Sequence, residues 1–141
     1  MYKVLFIGSN PSQSANSNAA FHMSSKSGKK LREWIYLANI WNPLFYNVAN
    51  KPTPNNRALQ KKEIVAALPA LKNHIDWEHS FYKEDLYLVA VGKTAVTALT
   101  LLHLDFYEMP HPSGLNRKLN DPYYILEKIK GLTEFISKPK Q

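Results

Sequence analysis

The sequence predicts an α/β fold, a three-layer α/β/α domain around a central, mostly parallel four-stranded sheet. Three observations lead there. The runs YKVLFIG, LFYNVAN and LYLVAVG are short, β-branched and apolar almost throughout, as strands buried on both faces are. Helical segments alternate with these extended pieces four times over. No internal repeat, low-complexity tract or linker interrupts the alternation, so residues 1–141 read as one domain.

Residues 2–8 form the first strand, stopped by the turn residues of SNPS. After a polar loop, Leu31, Ile35 and Ala38 fall at i, i+4 and i+7 with Trp34 and Trp41 beside them, which predicts a helix with one apolar stripe. Residues 44–50 form the second strand, ended by KPTPNN. Residues 60–75 read as a helix that Pro69 should kink or split. Residues 86–92 are the clearest buried strand, and 93–104 the helix after it, with His103 as a satisfied core imidazole. A short extended piece over 106–109 leads into HPSGLN. The last helix takes Asp121 as N-cap and Pro122 at its first position. In parallel sheets ligands bind at the carboxyl ends of the strands, which singles out the loops SNPSQSANSN, NKPTPNNR, GKT and HPSGLNR.

Composition narrows the chemistry. A chain of 141 residues with 45% hydrophobic and 12% aromatic content can bury one ordinary core. It has no cysteine, which excludes disulfides, thiolate nucleophiles, iron–sulfur clusters and cysteine-ligated zinc. YKVLFIG is too short for a signal peptide, and no stretch has the length of a transmembrane helix. The expectation is a cytoplasmic monomer without a membrane partner. A net charge of +7 suits a polyanion. The basic residues gather in groups after the strands: Lys26, Lys29, Lys30 and Arg32; Lys51, Arg57, Lys61 and Lys62; Arg117 and Lys118.

Several familiar sites fail on spacing. GKT at residues 92–94 follows a strand and opens a helix, but Tyr87 stands where a phosphate loop needs glycine, leaving a tight strand-to-helix turn. There is no GxSxG elbow. In HIDWEH the histidines His74 and His79, with Asp76, have no standard metal-ligand spacing and read as surface polar residues. No metal site and no cofactor is expected. What remains is Asn10 in GSNPS, Asn47 at the second strand, and His111 in HPSGL. Singly, each has an ordinary explanation as a turn residue or a loop tether. Together they bring two amides and an imidazole to one edge of the sheet, able to orient water or to hydrogen-bond a polar heterocycle.

At these residues the sequence resembles the uracil-DNA glycosylase superfamily. GSNPS resembles its first motif, and HPSGLNR its second, which ends in an intercalating residue. NVANKPTPNNRALQKKEI and LVAVGKTAVTAL are similar to its middle segments, so the likeness runs from about Val4 to the last helix. The resemblance implies a monofunctional glycosylase that removes uracil, with related damaged pyrimidines as further candidates, from single- or double-stranded DNA. Asn10 would hold the attacking water and His111 would donate to the departing base as catalytic residues. Asn47 would read the N3–H and O4 edge, Phe21 would stack on the base, and Ser12 would border its 5-position. Ser113, Gly114, Asn116 and Arg117 would lie on the DNA, with Leu115 as the wedge. A core role for Phe21 stays open. Asn10 paired with His111 is the combination of the single-strand-selective branch, whereas an amide in place of an aspartate implies slower turnover. Two other readings remain: a weak or inactive fold relative that binds nucleic acid or a nucleobase, and a basic protein-interaction domain.

Overall fold

A computed structural model describes residues 2–11, 20–23, 25–113 and 117–137. Its strands β1 (Lys3–Gly8), β2 (Leu44–Asn47), β3 (Leu86–Val91) and β4 (Tyr107–Met109) form one sheet in the order β2-β1-β3-β4. Every pairing is parallel. The helices are α1 (Lys26–Leu37), α2 (Lys61–Tyr82), α3 (Lys93–Leu101) and α4 (Pro122–Ser137).

Strand alternation splits the core in two. Val4 and Phe6 of β1 face one way, with Leu31, Trp34 and Ile35 of α1 and Ile129 and Leu132 of α4. Leu5 and Ile7 face the other way, with Ile64, Leu71 and Ile75 of α2 and Ala95, Ala98 and Leu99 of α3. Chain direction explains this division. From β1 the chain steps outward to β2, then reverses across the sheet to β3 and β4. Right-handed crossovers therefore put α1 on one face and α2 and α3 on the other. The reversal leaves a switch point between the carboxyl ends of β1 and β3, where open α/β sheets hold their ligands.

Some boundaries differ from expectation. β2 ends at Asn47 instead of residue 50, although the Val48 and Ala49 amides still donate to the Gly8 and Ser9 carbonyls at 2.9 and 3.0 Å. Those bonds tie the loop after β2 to the loop after β1. Pro69 neither splits nor ends its helix, since α2 runs 22 residues through it. Pro69 is exposed and Val65, four residues earlier, is 48% exposed, so the helix face that lacks this backbone bond is turned to solvent. The HIDWEH segment lies within this helix. There Asp76 pairs with Lys72 at 2.7 Å, and His74 stacks on Tyr46 with centroids 3.8 Å apart. The core role expected for His103 fails: α3 stops at Leu101, and His103 is an exposed, left-handed residue beyond it (φ 57°). Trp41 also lies outside the apolar stripe and is exposed, whereas Trp34 is buried. Asp121 caps α4 as its sequence suggests, accepting from the Tyr123 amide at 3.0 Å.

Because Pro69 removes one backbone bond on an exposed face of α2, Pro69→Ala should stabilise the protein by about 1–3 kcal/mol. Urea denaturation measures this directly. A lower midpoint than wild type would show that the proline instead sets a helix bend on which packing relies.

Candidate active site

The site forms where β1, β2 and β3 end. Gly8 closes β1 and pairs in register with Asn47 at the end of β2. A methyl group on Gly8 would stand 2.7 Å from Cε2 and Cζ of Phe21 and 2.9 Å from Oδ1 of Asn47. Only a residue without Cβ lets the ring and the amide meet over the strand end. Asn47 is buried, at 7% exposure. Across the switch point, Gly92 follows β3 in a left-handed conformation (φ +92°), and its missing Cβ would lie 3.3 Å from Cβ of His111. The Gly92 amide donates to the Met109 carbonyl at 3.0 Å, fixing the start of the segment that carries His111. The rings of His111 and Phe21 have centroids 6.4 Å apart. Three of the residues singled out by sequence, Phe21, Asn47 and His111, thus converge.

Asn10 lies on the loop after β1, and its amide is oriented by neighbours. Nδ2 donates to the Lys51 carbonyl at 3.1 Å and, at 3.5 Å, to Oγ1 of Thr53, while Oδ1 accepts from the Ser9 hydroxyl at 2.9 Å. A flipped amide would set an acceptor against the Lys51 carbonyl, so the network selects the orientation. Thr53 is buried at 4% exposure and passes its own hydroxyl proton to the Arg57 carbonyl. A carbonyl oxygen accepts twice, so Oδ1 keeps capacity to hold a water.

Burial lowers the pKa of His111 below its ordinary 6.5. Burial thus favours the neutral imidazole at pH 7, a form with one N–H and one acceptor nitrogen. Beside it, Gly92, Lys93, Glu108, Lys118 and Tyr124 line a cavity of about 300 Å³. A second cavity, about 660 Å³, opens along the outer edge of β2 and is bordered by His22, Arg32, Phe45, Asn47 and Asn50, among others. Ser113 is half-buried, one residue after the buried Pro112, and Arg117 is exposed at the start of the short Arg117–Asn120 turn. Ser12, Gly114, Leu115 and Asn116 lie outside the described residues.

The basic groups divide. Arg57 is paired with Glu63 at 2.7 Å and Arg32 turns inward, so neither points freely outward as a phosphate contact. Lys26, Lys29, Lys30, Lys51 and Lys118 are exposed. Thr53 carries no strong signal in the sequence, and Arg32 reads there only as one of a basic group facing a polyanion. A threonine between two prolines was the one available signal for Thr53, since such a stiff loop presents its hydroxyl in one direction. Among the described residues no group of three or more His, Asp or Glu could hold a metal ion, and no helix is long and apolar enough to cross a membrane.

A parallel sheet whose switch point gathers two amides, an aromatic face and a neutral imidazole can hold a flat polar ring edge-on and water beside it. That is the class of site the fold defines. The family model of the uracil DNA glycosylase superfamily matches residues 2–132, nearly the whole chain, and the protein belongs to that superfamily. Its function is of DNA glycosylase type, and DNA is its partner. No curated protein matches the chain.

Two outcomes test the geometry. Gly92→Ala places a Cβ at positive φ and against His111, and should cost about 1 kcal/mol or more in urea denaturation. An unchanged midpoint would contradict the crowding. The His111 imidazole resonances should titrate below pH 6.5. The unfolded chain then binds this proton more readily, so the stability this group carries is complete above pH 6.5 and declines as pH falls through its folded value. A titration above pH 6.5 would show that a neighbouring acid, not burial, dominates.

Proposed function

We propose that the protein is a monofunctional uracil-DNA glycosylase: it extrudes uracil from DNA, hydrolyses the C1′–N1 bond and leaves an abasic site. The observation that carries this reading is the meeting of Phe21, Asn47 and His111 about the strand ends, with the oriented amide of Asn10 on the adjoining loop. Extruding a base costs a few kcal/mol of lost stacking and pairing. Stacking on Phe21 and a wedge at Leu115 offset that cost. The wedge assignment rests on the HPSGLNR motif alone. Asn47 offers one acceptor and one donor, which match N3–H and O4 of uracil and oppose the reversed polarity of cytosine.

Bond cleavage leaves the electron pair of C1′–N1 on uracil and positive charge on the sugar. His111, already neutral, donates its N–H to O2 as charge develops there, a preorganised donor in a partly dry site. Asn10 Oδ1 holds the water whose oxygen then bonds to C1′. An amide cannot take the proton, so it leaves to solvent and uracil N1 regains one from there. Exposed lysines and Arg117 supply affinity that does not depend on sequence and falls with salt. The assignment of Ser12 to the 5-position rests on the GSNPS motif alone, and its small size leaves discrimination against 5-substituted pyrimidines open, so damaged pyrimidines related to uracil are further candidate substrates.

The test is strand scission by alkali after incubation with uracil-containing oligonucleotides, single-stranded and as U:A and U:G duplexes. Release of uracil is expected. No scission on any substrate at enzyme excess would leave a nucleic-acid-binding relative. His111→Ala should slow the single-turnover step on the order of 10²–10³-fold with DNA affinity nearly unchanged. Asn10→Ala, which loses the positioning of the water, should slow it roughly 10²-fold. Equal losses in binding and chemistry would contradict both roles. Leu115→Ala should lose duplex activity and keep single-strand activity.

A further inference from the structure

Phe21 stands at positive φ (50°), a conformation a phenylalanine rarely holds unless its surroundings impose it. The surroundings come from the first two turns of α1. The Ser25 amide and hydroxyl both donate to the His22 carbonyl, at 3.0 and 2.9 Å. Gly28 lies flush against the carbonyl oxygens of Phe21 and His22, with no space for a Cβ. Arg32 then reaches over both. Its Nη1 donates to the Phe21 carbonyl and, at 3.3 Å, to the Gly28 carbonyl. The guanidinium carbon also sits 4.6 Å from the centroid of Phe45. Phe45 in turn contacts Phe6 at 5.9 Å and Phe21 at 6.2 Å.

One side chain therefore fixes both the backbone of Phe21 and the ring behind it. We propose that Arg32 is a positioning residue for the base platform: its Nη1, bonded to the Phe21 and Gly28 carbonyls, locks the left-handed Phe21 so that the ring stays over Gly8, near Asn47 and His111. The proposal rests on the reading of Phe21 as the ring that stacks on the base. Lysine cannot fully reproduce the role, because a point charge on a flexible stem does not hold one fixed geometry to two carbonyls and the Phe45 ring at once. Burial already holds the guanidinium pKa below its ordinary value, consistent with an inward structural post and not a phosphate contact.

The experiment compares wild type with Arg32→Met and Arg32→Lys, each carrying 4-fluorophenylalanine at position 21 for fluorine NMR. Inhibition by free uracil is measured alongside on the unlabelled proteins. Wild type should give one narrow fluorine resonance. Arg32→Met should shift or broaden it, and should weaken uracil inhibition about tenfold, the loss of one base–aromatic stack. Arg32→Lys should recover only part of both. Affinity for uracil-free single strands should stay within about twofold, because the phosphates are held by other residues. Should Arg32→Met fail to fold, Arg32→Lys alone decides, since it keeps the charge and the donor. A folded variant with an unmoved fluorine signal and unchanged uracil inhibition overturns the proposal even if uracil is excised. A wild-type protein that neither releases nor binds uracil overturns the base-pocket reading, and the fluorine arm then tells whether Arg32 still governs Phe21.

Discussion

At the end of β1 the backbone is bare, and the ring of Phe21 and the amide of Asn47 close over Gly8 to distances that leave no room for a methyl group. This close approach is the constraint on which the rest of the site depends. β1 is central and buried on both faces, so its terminus cannot shift to relieve crowding. The switch point makes a crevice there, and the missing side chain lets the ring and the amide close over the strand end. Gly92 repeats the device on the neighbouring strand, where its own missing Cβ admits His111. Two positions without side chains, at the ends of two adjacent strands, thus set how near the ring, the amide and the imidazole come.

The polar half of the site is anchored to a different part of the fold. Asn10 donates to Thr53, and Thr53 donates to the Arg57 carbonyl. Arg57 is clamped by Glu63, whose other duty is to accept from the Gln60 amide at 2.8 Å in the capping box of α2. Arg57 and the Gln60 amide hold the Glu63 carboxyl down to about 2. The stability this group adds is present above its ordinary range and fades only as pH drops toward that value. The pair is solvent-exposed and screened by salt, so its contribution lies in geometry more than energy. The start of α2 thereby backs the loop whose Lys51 carbonyl and Thr53 hydroxyl orient the Asn10 amide.

Much of this was legible in the sequence, for reasons that particular residues make plain. Strands such as LYLVAV are buried on every residue and so advertise themselves without periodicity. Asp121-Pro122 announces a helix start because its chemistry is local. Asn10, Asn47 and His111 stand out because polar residues that end apolar strands need partners. What stayed hidden depends on tertiary surroundings. Pro69 breaks helices unless the face that lacks its backbone bond is turned to solvent, which no local pattern states. His103 lies in an apolar run, yet the chain turns before reaching it. Arg32 reads as one of a cluster of cations, and only the fold shows that it faces inward onto Phe45 while its lysine neighbours do not.

The central claim is that the strand ends about Gly8 and Gly92 form one seat for a uracil ring. Titration of the protein with free uracil, followed by amide NMR, tests it without requiring turnover. Saturable shifts are expected at the Asn47 side-chain amide, the backbone amides of Gly8 and Gly92, and the His111 ring, with cytosine causing none at equal concentration. Shifts scattered elsewhere, or equal responses to both bases, would contradict it.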